Sequence, residues 1–167
     1  SHSQTSWEAS ATSPQAVHNG DSKRPAACKR AADQRHPLTK LQICAGMQLF
    51  ATTGYEEEET KGLNWIPGIV VKLDLKKSKL KIPHMGWNEL NLQNTSSVFK
   101  DVKKNDHAYF IHSYEFIPED KSTVSLISNY GKDVVAAVSF ENIYGTQFHP
   151  EKSQITGIKI LANFLKI

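Results

Sequence analysis

Residues 41–54, with the sequence LQICAGMQLFATTG, join a short apolar run to a helix-like segment through a single cysteine, Cys44. The apolar run predicts a short strand, and residues 46–54 predict a short helix for which Gly54 is a suitable terminating residue. A cysteine at such a turn exposes its sulfur, and the helix N-terminus lowers the pKa of the thiol by favouring the thiolate. The backbone N–H of Ala45 is expected to point to where an oxyanion develops. Cys44 is therefore a candidate nucleophile, and the alternative interpretation is a buried, inert cysteine.

A second stretch, QFHPE at residues 147–151, follows a strand-like segment and precedes a helix-like one. His149 and Glu151 are two residues apart, so in an extended chain both side chains project to the same side. A carboxylate there can fix the imidazole tautomer while the other ring nitrogen accepts the proton of a thiol. The alternative is an ordinary histidine at a strand end with a helix-capping glutamate. Because Cys44 also lies at a strand-to-helix turn, the three residues together predict a Cys–His–acid set for acyl transfer.

Between these two stretches, apolar segments alternate with turn signals, as in a block of strands. The predicted strands are residues 68–75, 79–82, 107–118, 122–128, 134–140 and 142–148. Residues 55–61, which contain the run EEEE, predict a solvated acidic loop.

The chain closes with a second helical pattern, for which Ser153 is placed as the capping residue. Four apolar side chains at helical spacing lie on one face of this helix: Ile155, Ile158, Leu161 and Leu165. One helix after a strand that ends in a cysteine, a block of strands and a closing helix predict an α/β domain with an antiparallel extension.

Composition excludes several classes of protein. The 167 residues carry a net charge of +3, contain two cysteines and are 39% hydrophobic. No apolar run approaches the roughly 20 residues that a membrane-spanning helix needs, and no signal-peptide pattern opens the chain. A membrane protein, a disulfide-rich secreted scaffold and a highly charged nucleic-acid binder are therefore disfavoured. A soluble intracellular protein is the expectation.

Residues 1–40 differ from the rest of the chain. They contain only three large apolar side chains (Trp7, Val17 and Leu38), all three arginines and the whole net positive charge. So few apolar groups cannot offset the entropy of ordering the segment. We therefore predict a disordered segment at residues 1–37 and a folded domain at residues 38–167. The alternative for KRPAACKR at residues 23–30 is a nucleic-acid or localisation patch, but it lacks interleaved aromatic residues.

Two further stretches, PHMGWN at residues 83–88 and YFIHSY at residues 109–114, are dense in polar and aromatic residues. Core packing would explain their aromatic side chains as well as a binding role would. The histidines His84, His107 and His112 have no metal-ligand spacing with cysteines or carboxylates, so we predict no metal site.

Five motifs occur together and in order: ICAGMQLF, GLNWIPG, KIPHMGWN, AYFIHSY and NIYGTQFHPEKSQ. Over residues 38–167 the chain thereby resembles the glutaminase subunit of imidazole glycerol phosphate synthase, a class I glutamine amidotransferase. The resemblance implies a flavodoxin-like mixed sheet with an antiparallel extension. It also implies hydrolysis of glutamine through a γ-glutamyl thioester, without a cofactor. The ammonia would pass to a (β/α)₈-barrel synthase subunit, with which the chain forms a heterodimer in cytoplasmic histidine biosynthesis. No nucleic acid or membrane is implied.

The resemblance also implies roles for individual residues. Catalysis is expected from the nucleophile Cys44, the general acid/base His149 and the orienting carboxylate of Glu151, with Ala45 at the oxyanion. Three residues are expected to contact glutamine: Gln48, Ser113 and Tyr114. Three others are expected to face the barrel subunit: Trp87, Tyr109 and Lys152.

The chain departs from this family before its cysteine. The family has its first βα units there, with a glycine-rich P-G-V-G strand whose N–H helps to form the oxyanion hole. None of the 43 residues before Cys44 matches these segments, so we expect these units to be missing or degenerate. Gln42 stands where the family has glycine, and it would be strained if that position needed a positive φ. The alternatives are a catalytically impaired remnant that acts as a binding module, or a glutaminase domain of another class I amidotransferase.

Overall fold

The computed structural model describes residues 38–76 and 78–167. The segment predicted to be disordered, residues 1–37, lies outside the described residues. Two short strands that are distant in sequence pair with each other and position the candidate site residues. Strand β1 (Lys40–Ile43) pairs in parallel with β11 (Ile143–Thr146), with Ile43 opposite Thr146. Both strands therefore end at the same edge of the sheet.

Eleven strands and two α-helices make up the described part of the chain. The remaining strands are β2 (Thr53–Tyr55), β3 (Glu59–Lys61), β4 (Gly68–Lys72), β5 (His84–Glu89), β6 (Asn91–Leu92), β7 (His107–His112), β8 (Tyr114–Pro118), β9 (Val124–Asn129) and β10 (Asp133–Phe140). The helices are α1 (Ala45–Gln48) and α2 (Gln154–Phe164), and single 3₁₀ turns lie at Lys121–Thr123 and Pro150–Lys152. Neither helix is long and apolar enough for a membrane span within the described residues.

The strands form three sheets, of five, four and two strands. The first sheet has the order β1-β11-β10-β9-β6, in which only the β1/β11 pair is parallel. The second has the order β3-β2-β4-β8, with β2 and β4 parallel. Strands β5 and β7 form a separate two-stranded antiparallel sheet, which we call the hairpin sheet although β6 lies between the two strands in the chain. The predicted α/β class with an antiparallel extension is confirmed.

Two apolar clusters cover opposite faces of the first sheet, because neighbouring residues of a strand point to opposite faces. One cluster contains Tyr144 of β11 with Phe110, Phe148 and Ile160, and the other contains Ile143 of β11 with residues of α1, β4 and β8. All four residues of β11 are buried as a result. Because β11 is held from both sides, it fixes the position from which residues 147–151 extend beyond the edge of the sheet.

The predicted helix over residues 46–54 is wrong in its length. Helix α1 ends at Gln48, and Gly54 lies in β2 opposite Val70 of β4. The carbonyls that a longer helix would use accept other hydrogen bonds. Those of Leu49, Phe50 and Ala51 accept from the N–H groups of residues 63, 66 and 64. Tertiary contacts thus replace the helical bonds that would have continued α1.

The strand predictions hold in part. The segments 68–75, 122–128, 134–140 and 142–148 each contain a strand, and residues 107–118 form two strands, β7 and β8. Residues 79–82 form none. Residues 55–61 are exposed as expected, but Glu59–Lys61 pairs as β3. Strand β5 was not predicted, because it buries the polar His84 and exposes the apolar Met85 and Trp87.

The apolar face assigned to the closing helix faces solvent. Ile155 and Ile158 are each 62% exposed and Leu165 is 82% exposed, so this face does not pack on the core within the described residues. The buried side of α2 instead carries Thr156, Gly157, Ile160 and Asn163. Asn163 donates its side-chain amide to the carbonyl of Val98 and to the carboxylate of Asp101, which orients α2 by polar contacts.

Candidate active site

Cys44 occupies the turn between β1 and α1 in a conformation that non-glycine residues rarely adopt, with φ 54° and ψ −115°. Its N–H donates to the carbonyl of Thr146 at 2.7 Å, so the turn is anchored to the end of β11. Backbone strain that the surrounding structure holds in place is characteristic of functional sites. The strain considered for Gln42 is absent, because Gln42 is an ordinary residue of β1 and the positive φ falls on Cys44.

The close approach of α1 to β11 depends on Gly145. A Cβ atom at this position would lie 2.5 Å from Cγ of Met47 and 2.9 Å from Cε2 of Phe50. A larger residue would push α1 away from the sheet, and Cys44 would move with it. The glycine in the family motif of residues 142–154 thus sets the position of the thiol.

The thiol of Cys44 is half-buried, and burial is the largest influence on its pKa, which it raises above the ordinary value. Hydrogen bonds from the N–H of Ala45 and from the side chain of Gln147 act in the opposite direction, and the charge of Glu151 adds to the increase. The predicted lowering of this pKa by the helix N-terminus is therefore wrong, since α1 is a single turn and burial outweighs it. A thiol of this kind needs a base to take its proton.

His149 and Glu151 form a hydrogen-bonded pair that begins three residues after β11 ends at Thr146. Nδ1 of His149 lies 2.7 Å from Oε1 of Glu151. Partial burial opposes ionisation of Glu151, but the hydrogen bond from His149, its own backbone and the charges of His149 and Lys152 together lower the pKa of the carboxyl. The carboxylate is therefore ionised near neutral pH. The main-chain N–H of His149 donates to the carbonyl of Tyr109 at 2.9 Å, which fixes the segment against β7.

Parallel pairing brings Cys44 and this pair to one edge of the sheet. The register of Ile43 with Thr146 places Cys44 level with Gln147, two residues before His149. Glu151 is close enough for its charge to act on the thiol. We call Cys44, His149 and Glu151 the strand-end site. The geometry can supply a nucleophile, a base and a group that orients the base, although the catalytic roles stay predictions.

Ser153 and Gly157 hold the turn that carries Glu151. Ser153 precedes α2 as predicted, but it does not cap the helix with its side chain. Its Oγ donates to the carbonyl of His149 at 2.6 Å and accepts from the N–H of Tyr109 at 3.0 Å. A Cβ atom at Gly157 would lie 1.7 Å from the carbonyl oxygen of Pro150, so only glycine permits this packing. Both residues therefore position the strand-end site rather than the helix.

Of the three residues expected to contact glutamine, Gln48 follows Cys44 by one helical turn, and its side chain contacts the main chain of Tyr114. Nε2 of Gln48 donates to the carbonyl of Tyr114 at 2.9 Å and to Oε1 of Gln147 at 3.0 Å. Ser113 lies between β7 and β8, where its carbonyl accepts from the N–H of Leu73. The binding roles of Gln48, Ser113 and Tyr114 stay predictions.

Gln147 is a site residue that the sequence reasoning missed. Its side chain is fully buried, and its Nε2 lies 3.8 Å from the sulfur of Cys44. Its main-chain N–H donates to the carbonyl of Ala136 at 2.8 Å. Its place two residues before His149 was the only indication of a role that the sequence offered. Its contact with the thiol follows from the register of β1 with β11, which spacing along the chain does not reveal.

The residues expected to face a partner form one cluster on the outer face of the hairpin sheet. Trp87 pairs with Tyr109 across the two strands, and their rings meet edge to face with centroids 5.9 Å apart. Nζ of Lys152 lies 5.9 Å from the ring of Tyr109. Met85 and Ile111 are paired on the same face and are exposed. We call Met85, Trp87, Tyr109, Ile111 and Lys152 the outer patch.

Within residues 38–76 and 78–167, no group of three or more His, Cys, Asp or Glu side chains is arranged to hold a metal ion.

Comparison with known proteins places the chain in a family. A family model described as class-I glutamine amidotransferase matches residues 13–167. The chain belongs to this family. The imidazole glycerol phosphate synthase subunit HisH of Pelagibacter ubique is 54% identical over 127 residues, which are 76% of this chain and 61% of that protein. The protein of the same name from Azospirillum brasilense is 47% identical over 80% of this chain and 68% of its own length.

A solved glutamine amidotransferase from Thermotoga maritima shares the fold of this class I amidotransferase chain. Its TM-score is 0.51 at 16% identity, with 75% of this chain and 46% of that chain covered. At this identity the likeness concerns the fold alone, and it confirms the expected amidotransferase-like architecture. The chain spans about 60% of the length of the first curated relatives that it matches.

Proposed function

We propose that this chain is a glutaminase, which hydrolyses glutamine to glutamate and ammonia at the strand-end site. The observation that carries the proposal is the 2.7 Å hydrogen bond between His149 and Glu151 at the strand edge that also bears the strained Cys44 turn. This combination supports acyl transfer because each group supplies what the next one needs. Membership of the class I glutamine amidotransferases supports glutamine as the substrate.

In the first half of the reaction, Nδ1–H of His149 keeps its proton and donates a hydrogen bond to the carboxylate of Glu151, so Nε2 is the acceptor. Nε2 takes the proton of the Cys44 thiol, and the thiolate attacks the side-chain amide carbon of glutamine. The amide C=O bond becomes a single bond to an oxyanion, for which the proposed donor is the N–H of Ala45, the group that acts on the Cys44 thiol before the attack. The raised pKa of the thiol makes this base necessary.

In the second half, the tetrahedral intermediate collapses and the C–N bond breaks. The leaving nitrogen takes the proton from Nε2 of His149, so ammonia departs and a γ-glutamyl thioester remains on Cys44. His149 then takes a proton from water, whose oxygen attacks the thioester carbon. The C–S bond breaks and glutamate leaves, and the departing sulfur takes the proton back from Nε2 of His149, which restores both the thiol and the neutral imidazole.

We further propose that the ammonia serves a (β/α)₈-barrel synthase subunit in histidine biosynthesis, in a cytoplasmic heterodimer. The names of the relatives support this, since they are subunits of imidazole glycerol phosphate synthase. The outer patch supports it too, because Met85 is 56% exposed and Trp87 is 45% exposed. Trp87 contacts the ring of Tyr109, and the cation of Lys152 lies over that same ring. An exposed aromatic and apolar cluster with a charged rim is typical of a protein interface.

The first experiment measures ammonia release from glutamine by the purified chain, with and without the barrel subunit and its nucleotide substrate. Cys44→Ala is expected to lower turnover by about 10³-fold or more, since the nucleophile is lost. The chain has one other cysteine, Cys28, so Cys28→Ser is the matched control and is expected to retain full activity. Equal turnover by Cys44→Ala and the parent would contradict the proposal.

The same assay separates the alternatives. Turnover that only the imidazole glycerol phosphate synthase barrel stimulates supports the proposed partner, and stimulation by a different synthase would assign the chain to another amidotransferase. Binding to the barrel without Cys44-dependent ammonia release would make the chain a binding module. Folding is checked in each case by a cooperative thermal transition of the sample used.

A further inference from the structure

The inner face of the hairpin sheet buries two histidines that the proposed reaction does not use. His84 of β5 and His112 of β7 are paired across the strands and are 0% and 6% exposed. Nδ1 of His84 lies 2.9 Å from Nε2 of His112, and Nδ2 of Asn88 lies 2.6 Å from Nε2 of His84. At the other end, Nδ1 of His112 lies 2.7 Å from the carbonyl oxygen of Tyr114. Four groups thus form one hydrogen-bonded chain.

The carbonyl of Tyr114 fixes the direction of this chain. A carbonyl oxygen only accepts, so Nδ1 of His112 carries the hydrogen, and in a neutral ring Nε2 is then an acceptor. Nδ1 of His84 must therefore donate to it, which leaves Nε2 of His84 to accept from the amide of Asn88. Every bond points from Asn88 toward Tyr114, and both rings have the same tautomer.

Burial supports the neutral state of both rings. It lowers the pKa of His84, with a smaller contribution from His112, to about 3. It also lowers the pKa of His112, against the opposing effect of the bond to the Tyr114 carbonyl. The ring of His84 is held between Phe110 and Tyr130, with centroids 4.4 Å and 4.0 Å away and nearly parallel planes. Near neutral pH, therefore, neither protonation of the rings nor their rotation breaks this series of hydrogen bonds.

The hydrogen-bonded chain continues to the strand-end site through Gln48. The carbonyl that accepts from His112 also accepts from Nε2 of Gln48, and the same Nε2 donates to Oε1 of Gln147. Both hydrogens of the Gln48 amide are thereby used, so its Oε1 is the group left for a ligand. Gln147 in turn directs its own Nε2 to the sulfur of Cys44 at 3.8 Å.

We propose that His84 and His112 are positioning residues of the glutaminase: through the carbonyl of Tyr114 they hold the Gln48 side chain in the orientation that binds glutamine. This inference rests on the proposed function. Two buried polar rings are costly unless every polar atom is paired, and a fully paired network specifies one arrangement of its members. Here the network ends at Gln48, the side chain that is fixed close to the Cys44 thiol.

The kinetic test compares His112→Leu with His112→Asn. The asparagine amide can place an N–H close to the position of Nδ1, whereas leucine removes the donor. We expect His112→Leu to raise the KM for glutamine roughly tenfold, the size of one lost hydrogen bond, with a smaller change in kcat. His112→Asn is expected to stay within about threefold of the parent. Alkylation of Cys44 by iodoacetamide, which does not need Gln48, is expected to be equal in all three proteins.

A parent-like KM in His112→Leu would overturn the inference. So would equal losses in the leucine and asparagine variants, since a purely structural role predicts no rescue. If the parent protein itself releases no ammonia, the proposed function fails, and a second measurement then decides the positioning role. The side-chain amide protons of Gln48 are expected to shift and exchange faster in His112→Leu but not in His112→Asn. The exposed amide of Gln93 is the control and is expected to stay unchanged.

The parent protein gives a third measurement that needs no variant. Nitrogen-15 spectra of its histidines are expected to show both buried rings as neutral Nδ1–H tautomers. An Nε2–H tautomer or a charged ring at His84 or His112 would break the derived direction of the chain and overturn the proposal. Should His112→Leu not fold, His84→Leu and His84→Asn make the same comparison one bond further from Gln48.

Discussion

At the strand-end site the polar side chains lie partly exposed where parallel strands stop. The hairpin sheet instead buries the rings of His84 and His112 on its inner face and exposes Met85 and Trp87 on its outer face. His149 has a carboxylate partner at the surface, and His84 has stacked aromatic rings and a second histidine. The first environment keeps an ionised partner beside the imidazole. The second removes charge from both rings. The same residue type is therefore prepared for proton transfer in one region and for rigid hydrogen bonding in the other.

The two regions meet at Tyr114 and Gln48, so a change in one is expected to reach the other to a limited extent. Removing a group at the strand-end site should stop the reaction and leave the fold intact. Removing a group from the inner face of the hairpin sheet should weaken the fold or the binding of glutamine and leave the thiol chemistry intact. Variants in each region test this separation.

The largest effect is expected from His149→Asn, which removes the proposed base. Proton transfer by a positioned side chain contributes typically 10²–10⁴-fold, so kcat for ammonia release should fall by about that factor. The free energy of unfolding should change little, because His149 lies at the edge of the fold. The matched control is His107→Asn, an exposed histidine at the start of β7, which should have parent-like kcat. A comparable loss in both variants would contradict the distinction between the two regions.

Phe110→Ala should have the next largest effect, and on stability. Phe110 is fully buried on the inner face of the hairpin sheet, where it contacts the rings of His84 and Phe148. Truncating a buried phenylalanine costs about 3–5 kcal/mol of unfolding free energy. Its neighbour Ile111 lies on the outer face, and Ile111→Ala should cost less than about 1 kcal/mol. Urea unfolding of both variants measures the difference, and equal costs would show that the two faces are not distinct.

The contrast between the regions also explains which parts of the structure the sequence could predict. Cys44, His149 and Glu151 are recognisable because chemistry-bearing residues follow apolar strands, and the parallel pairing of β1 with β11 brings them to one edge. Strand β5 inverts the expected alternation, since Met85 and Trp87 face outward and His84 faces inward. A pattern that assumes apolar side chains face the core cannot assign such a strand.

The predicted packing face of α2 and the predicted lowering of the Cys44 pKa were wrong for related reasons. The apolar positions Ile155 and Ile158 predicted a face, but the contact of Gly157 with Pro150 and the polar bonds of Asn163 determine which side packs. The pKa of the thiol is raised chiefly by burial and also depends on Gln147 and Glu151, which are distant in sequence, and a local helix argument omits both effects. Long-range packing decides both features.

Gly157→Ala should destabilise the strand-end region by about 3 kcal/mol, at the upper end of the cost of overpacking, because the obstacle is the backbone carbonyl of Pro150. The 3₁₀ turn that carries Glu151 would have to move, so glutaminase activity should fall as well. Gly54→Ala is the control, since a Cβ atom there meets no atom closer than 3.9 Å. Thermal unfolding of both variants checks this, and a parent-like transition for Gly157→Ala would show that the turn yields easily.

The His84 pair should make stability depend on pH. The pKa of His84 is about 3 in the folded chain against 6.5 for an unperturbed histidine, so the unfolded state binds more protons as pH falls. Its contribution is complete above pH 6.5 and is lost progressively between pH 6.5 and pH 3, which amounts to about 2 kcal/mol between pH 7 and pH 5. His84→Asn should lose less stability than the parent over this interval in urea unfolding. Parallel pH profiles would mean that His84 is not held neutral.

Trp87→Ala should have the smallest effect on the isolated chain, below about 1 kcal/mol, because the side chain is nearly half exposed on the outer patch. Its expected effect is on the barrel subunit, for which the dissociation constant should rise about tenfold or more, as for an aromatic interface residue. Leu92→Ala, another exposed apolar residue but on β6, should leave that constant unchanged. Calorimetric titration of the barrel subunit compares the two variants. If both variants bind like the parent, the outer patch is not the docking face, and the exposure of Trp87 would need another partner. If Trp87→Ala alone binds weakly, the two faces of the hairpin sheet have separate functions: the outer face docks the barrel subunit, and the inner face holds the hydrogen-bonded histidines.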